Sequence, residues 1–546
     1  MRNQAYDWSG ILNEVDVRRH PLFAQLETAD FDRVVRHYLD DADPYRTLAD
    51  YMLFGAAAVL GRDRQASEAI LTYHGRLNAK TKAVTLVFWA EEAIAHQQYS
   101  TAEGFIAPLL AAYSNDPHLN ALMATCSFYQ QNLQKGWSYL KAGLESDPQH
   151  LTLLSLLCRY HLGEGDLQAA KASAKRLLAS DPLNQIAFNI LSRIGPADVD
   201  DNLLQRFEHR ALEGTDGPTN SAAMFFDVGR IYDARGLYEK AFDAVARANE
   251  QMKSIPQVAG RRFSAEQEYQ KFVDNCGLYD QLTPNEDATA FTPVFIVGLP
   301  RTGSTLLDQA LSAHPEGVSL GEDDIIPTIA QEAEDLLRAG KTADAQALIP
   351  EWQRRFFERA TSEFSKKKGE EPVNRPLKFV VDKMLGNSRH LGLISKLFPH
   401  AVYLNSRRNA MDVGLSIFFS PLHRANLYAT DLEAIGDFIV LEERLMAFWE
   451  KHGFDVLPVD YEGMVDATEQ TLRQVMRHAG ISWHENCLDF HQHKRTVHTY
   501  SAHQVRKSIY RSSKGRWQNY SAQMAPLRAA LQTNNLLKTV NPSHPS

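Results

Sequence analysis

At 546 residues the chain is too long for one hydrophobic core and calls for two to four domains. Its 44% hydrophobic and 23% charged content is ordinary for a soluble globular protein, and a net charge of −9 argues against bulk nucleic-acid binding. Four scattered cysteines (Cys126, Cys158, Cys276, Cys487) make neither a disulfide framework nor a zinc spacing. Met1–Gly10 has no apolar core for a signal peptide, and no run reaches the roughly 18 apolar residues of a membrane span, so the expected location is the cytoplasm.

Residues 1–40 are a helical lead-in with no assignable pattern. From 41 to 255 the text is helical and repetitive. Asp-Pro recurs at 116–117, 147–148 and 181–182, and short amphipathic patterns such as 151–161 and 167–179 lie between. A helix pair about every 34 residues, closed by proline, is the tetratricopeptide period. The unit at 228–250, with Gly229, Tyr232, Gly236, Tyr238 and Ala241, fits it best. Such an array leaves an inner face suited to a protein partner. Residues 256–292 read as a linker, ending in a polar run with prolines at 284 and 293.

After it the grammar changes. Apolar strands at 294–297, 377–381, 401–404 and 455–459 alternate with helical patterns, which implies a parallel sheet covered by helices over 293–535, followed by a tail at 536–546. The fold class expected is thus an α-helical repeat solenoid joined to an α/β domain with a P-loop-like parallel sheet. The first strand runs into Gly298-Leu-Pro-Arg-Thr-Gly303 and then into a helix opening Ser304-Thr305. A strand, a glycine-bounded loop and a helix N-terminus make an anion cradle, because unpaired amides and the positive end of the helix dipole converge there. The two glycines copy Walker A spacing, but Ser304-Thr305 stands where an NTPase needs Lys-Ser or Lys-Thr.

Further on, Arg408 and Ser416 lie eight residues apart across a turn and a helix, so both can face one phosphate. Val459-Asp-Tyr461-Glu462 ends a strand. The segment 494–516 carries seven Lys or Arg and no acid, which suits a lid over a polyanion.

With Pro-Arg301-Thr302-Gly303-Ser304-Thr305 inside it, the loop resembles the 5′-phosphosulfate loop of sulfotransferases, which use PAPS (3′-phosphoadenosine 5′-phosphosulfate). Arg408 and Ser416 resemble that family's 3′-phosphate motif, although Asn409-Ala410 replaces its frequent Asp-Pro. Tyr461 is similar to a nucleotide-seating tyrosine, and Lys514-Gly515 to the Lys-Gly that clamps the 3′-phosphate. The nearest likeness is to tetratricopeptide-repeat sulfotransferases related to tyrosylprotein sulfotransferases. It implies three catalytic residues: Glu322 as base, Lys383 on the leaving phosphate, and Ser501 reaching the sulfuryl group. Cytosolic sulfotransferases place a base histidine two residues after that lysine; here the position is Leu385. The resemblance implies sulfuryl transfer from PAPS to a hydroxyl acceptor without a metal, and leaves peptide tyrosine, glycan, lipid and small phenol open. Two rivals stand beside it: a P-loop NTP-dependent kinase, and a scaffold with a silent sulfotransferase-like domain.

Overall fold

The computed structural model describes residues 78–130, 132–255, 258–285, 291–370, 376–422, 426–489 and 514–533, with scattered positions between 23 and 61. Contacts divide the chain into two compact units, 1–195 and 196–546.

The first unit is helical: α1 (Ala79–Ala95), α2 (Tyr99–Ala112), α3 (Pro117–Tyr129), α4 (Leu133–Ser146), α5 (Leu151–Glu164), α6 (Leu167–Ser180) and α7 (Gln185–Ile194). The starts of α3, α5 and α7 fall at 117, 151 and 185, a repeat of 34 residues. The Asp-Pro punctuation does two different jobs. Asp116 caps α3, its carboxylate accepting the Leu119 amide at 3.0 Å, with Pro117 in the first turn, where its missing N–H costs nothing. Asp147 and Asp181 instead close α4 and α6 and turn the chain by accepting the amides of Gln149 and Leu183. Val87, Phe88, Trp89, Ile106, Leu119 and Met123 fill the interior.

The second unit opens with helices α8 (Asp201–Glu213), α9 (Gly217–Ala234), α10 (Tyr238–Lys253) and α11 (Ala265–Tyr279). The remainder alternates strand and helix: β1 (Thr292–Gly298), α12 (Ser304–Ser312), β2 (Gly317–Gly321), α13 (Ile325–Arg338), α14 (Thr342–Glu370), β3 (Phe379–Asp382), α15 (Leu391–Leu397), β4 (Val402–Arg407), α16 (Ala410–Phe418), α17 (Leu432–Lys451), β5 (Val456–Asp460), α18 (Tyr461–Asp466), α19 (Thr468–His478) and α20 (Ala525–Thr533). The strands pair in parallel in the order β2-β3-β1-β4-β5. β1 is central, and Val294 to Val297 are fully buried, as a strand covered on both faces requires.

Helices α9–α11, grouped by their sequence with the repeats and the linker, pack in the unit that holds the sheet. Phe242 of α10 stacks on Phe418 of α16 at 5.2 Å, and the Asn249 amide donates to the Phe418 carbonyl at 3.0 Å. Phe272 of α11 lies edge-on to Trp449 of α17 at 5.3 Å, and the Tyr279 hydroxyl donates to Glu334 of α13 at 2.6 Å. All four cysteines are free and buried. No helix among the described residues is long and apolar enough to cross a membrane.

Candidate functional site

The chain leaves β1 toward β2 on one side and leaves β4 toward β5 on the other, although β1 and β4 are neighbours. Their carboxyl ends therefore form the switch point at which open α/β sheets leave a crevice. The loop 298–303 crosses that crevice. Gly298 has φ +113°, and a side chain there would run into Asn405 Oδ1 at 2.5 Å. Gly303, at φ +87°, caps α12 without a side-chain hydrogen bond, and an added Cβ would lie 2.5 Å from the Tyr461 ring. The first amides of α12 are thus left for an incoming acceptor.

Between the glycines, Arg301 adopts a left-handed φ of +69°, an uncommon state for a residue with a side chain. Contacts at both ends hold it. Its Nε donates to Ser416 Oγ at 3.0 Å, and its carbonyl accepts from Arg408 Nη1 at 3.1 Å. Thr302 is buried, its hydroxyl donating to the Leu299 carbonyl at 2.7 Å, and Ser304 and Thr305 are buried at the start of α12. The Arg408 guanidinium lies over the Tyr461 ring, 4.7 Å from its centre. Lys514 pairs with Asp466 at the end of α18, and the Gly515 amide donates to Asp412 of α16 at 2.7 Å. Arg301, Thr302, Gly303, Ser304, Thr305, Arg408, Ser416 and Tyr461 converge on one crevice, and Lys514-Gly515 are bonded to the helices that flank it.

A second group sits past the ends of β2 and β3. Lys383, only 1% exposed, forms an ion pair with Glu322, whose side chain is 49% exposed. Beside Glu322, Asp323 is held by Arg359 at 2.8 Å. Beneath Lys383 lies Asp382, fully buried. Its Oδ1 accepts from the Met384 amide at 2.9 Å and from Asn387 at 3.2 Å. Burial, helped by the nearby Asp323 and Asp308 carboxylates, pushes its carboxyl up to about 8, against the opposing pull of the Met384 amide and Lys383. Ser501 lies outside the described residues, as does most of the basic segment 494–516.

Sequence reasoning passed over Asp382, Asp412 and Asp466. Asp412 sits one turn after Arg408, and Asp382 directly precedes Lys383. The local signal of Asp382 and Asp412 is an acid where a strand or helix is otherwise apolar; Asp466 has no such signal.

Residues 293–485 match the Sulfotransferase family. An "uncharacterized protein" of Aquifex aeolicus is 26% identical over 403 residues, which cover 72% of this chain and 52% of that protein. Protein-tyrosine sulfotransferase 2 of Gallus gallus is 26% identical over 204 residues, 36% of this chain and 53% of the relative. The chain spans about half the length of the curated relatives it matches. The sulfotransferase domain of the Synechococcus PCC 7002 olefin synthase aligns at 19% identity with a TM-score of 0.32, covering 46% of this chain and 97% of the domain. Residues 293–485, which match that family, hold the parallel sheet of the second unit, and a helical region precedes them.

Proposed function

We propose that the protein transfers a sulfuryl group from PAPS to a hydroxyl acceptor. The observation that carries this reading is the meeting of the loop 298–305 with Arg408 and Ser416 at the β1–β4 switch point. The fit is to a phosphorylated nucleotide, because the strand, glycine-bounded loop and helix N-terminus suit a phosphate, and Gly303 lets the Tyr461 ring close directly on that loop. The loop amides and the start of α12 would hold the 5′-phosphosulfate, while Arg408, Ser416, Lys514 and Gly515 would hold the 3′-phosphate. PAPS, when bound, supplies an activated sulfuryl group and a phosphate leaving group.

Glu322, exposed at the rim, takes the proton of the acceptor hydroxyl. Lys383 holds a cation where charge grows on the leaving oxygen, and its burial strengthens that interaction. In the absence of ligand the two neutralise each other. Ser501 remains part of this proposal as a group reaching the sulfuryl oxygens, and no metal is required by it. Peptide tyrosine is the first acceptor to test, since two relatives are named protein-tyrosine sulfotransferases. The 34-residue spacing of α3, α5 and α7 supports tetratricopeptide-like repeats that bind a protein partner, and a cytoplasmic setting suits four free thiols.

Calorimetry without magnesium tests the reading. Adenosine 3′,5′-bisphosphate should bind more tightly than ATP. Magnesium-dependent ATP binding with indifference to the bisphosphate would favour a kinase instead.

A further inference from the structure

The segment Lys514–Tyr520 is tied to the second unit by three carboxylates on three different helices. Lys514 pairs with Asp466 of α18. Asp412 of α16, 3% exposed, accepts two backbone amides, Gly515 at 2.7 Å and Trp517 at 3.1 Å. Asp233, near the end of α9, accepts from the Tyr520 hydroxyl at 2.5 Å and pairs with Arg516 at 2.9 Å. Rings complete the seat. Tyr520 is fully buried, edge-on to Tyr238 at 5.4 Å and to Phe419 at 5.0 Å, and Arg516 lies over Phe419.

These contacts are not accounted for by the helices that supply them. α16 is already capped by Asn409, whose side chain accepts the Met411 and Asp412 amides, so Asp412 is not needed for that task. Both Asp412 oxygens go instead to the turn that carries Lys514, where Gly515 takes a left-handed φ of +71°. The Tyr520 hydroxyl stays protonated, because burial and the Asp233 carboxylate push it far above its ordinary value, so it remains a donor. Charge-assisted bonds of this kind fix position more firmly than neutral ones. The Lys514–Asp466 pair is different. Both side chains are partly exposed, so the ammonium can exchange Asp466 for a phosphate at small cost.

We infer that Asp233 and Asp412 are positioning residues that hold Lys514 at the 3′-phosphate of the nucleotide, which makes the pair α9–α10 a working part of the nucleotide site. This rests on the sulfotransferase reading above. Neither carboxylate touches the ligand; each acts through the backbone or side chains of 515–520.

The test compares two probes on the full chain by calorimetry: adenosine 3′,5′-bisphosphate, and AMP, which lacks the 3′-phosphate. Wild type should prefer the bisphosphate. Asp233→Ala should weaken the bisphosphate about tenfold, the scale of one charged hydrogen bond, and leave AMP unchanged. Tyr520→Phe should do the same to a smaller degree and keeps the ring packing, so it reads the effect even if Asp233→Ala unfolds. Lys514→Ala should remove the same preference, and adding Asp233→Ala to it should cost nothing more, because the two act on one contact. A wild type without preference for the bisphosphate would overturn the sulfotransferase reading and this inference with it. A wild-type preference that survives both Asp233→Ala and Tyr520→Phe would overturn the inference alone. So would equal weakening of both probes, which marks a general structural role.

Discussion

The two halves of the site are built on different principles. Around β1 and β4, position is set by backbone: two glycines at positive φ, a left-handed Arg301 pinned at its Nε and its carbonyl, and buried hydroxyls. Past β2 and β3, one buried lysine faces one half-exposed glutamate, and Glu322 is open to a partner arriving from solvent. The first half suits a ligand that is always the same. The second suits chemistry on an acceptor that enters and leaves. The difference teaches that affinity and turnover should come apart under mutation.

The largest effect expected from this contrast is at Glu322. Glu322→Gln keeps the size of the side chain but loses the basic carboxylate, so turnover should fall on the order of 10²- to 10⁴-fold, the usual worth of a positioned general base. Affinity for adenosine 3′,5′-bisphosphate should barely move, since an acceptor-side carboxylate makes no attractive contact with phosphates. Sulfuryl transfer assays beside calorimetry give both numbers, and near-normal transfer would remove Glu322 from the mechanism. Gly303→Ala should show the reverse pattern. Its Cβ meets Tyr461, and a left-handed φ disfavours any side chain, so bisphosphate affinity should drop roughly ten- to a hundredfold. A Gly303→Ala protein that binds normally would mean the cradle is softer than its geometry implies.

The smallest effect concerns stability. Asp382 stays protonated in the folded chain up to about pH 8, whereas an unfolded carboxyl ionises near 3.8. Between those values the unfolded chain binds fewer protons, so this group's contribution is complete below 3.8 and fades as pH rises toward 8. The amide introduced by Asp382→Asn does not titrate, and its oxygen can still accept from Met384 and Asn387. The denaturation midpoint of Asp382→Asn, relative to wild type, should therefore improve from about pH 5 to about pH 8. A flat difference would show that Asp382 is ionised in the folded state.

Much of the sheet was legible in advance because a strand buried on both faces must be a continuous apolar run. Val294–Val297, Phe379–Val381 and, less fully, Val402–Leu404 are such runs; β5, at the sheet edge, reads as apolar too, but only Val459 in it is buried. β2, an edge strand with Gly317 and Ser319 in five residues, offers no such run. Arg408 and Ser416 could be paired because a short turn and two helical turns fix their spacing. What escaped were contacts between residues far apart in the chain. The aromatic face of α10 looks alike whether it meets another repeat or, as here, Phe418, Phe419 and Tyr520. Asp233 and Tyr520 are 287 positions apart, and no local periodicity could join them.

The packing of α9–α11 against the helices that flank the sheet, and against Tyr520, also bears on where this chain can be cut. The polar, proline-bearing stretch around Asn285 looks like a hinge in sequence. Yet Asn285 itself bonds to Lys396 and Gln353, while Asn249, Phe272 and Tyr279 grip the unit from the other side of the stretch. A protease nick there would sever the backbone and leave both fragments clasped together, eluting as one particle. The division between compact units falls instead at Gly195–Pro196, a Gly-Pro break that lies inside the stretch read as helical repeats.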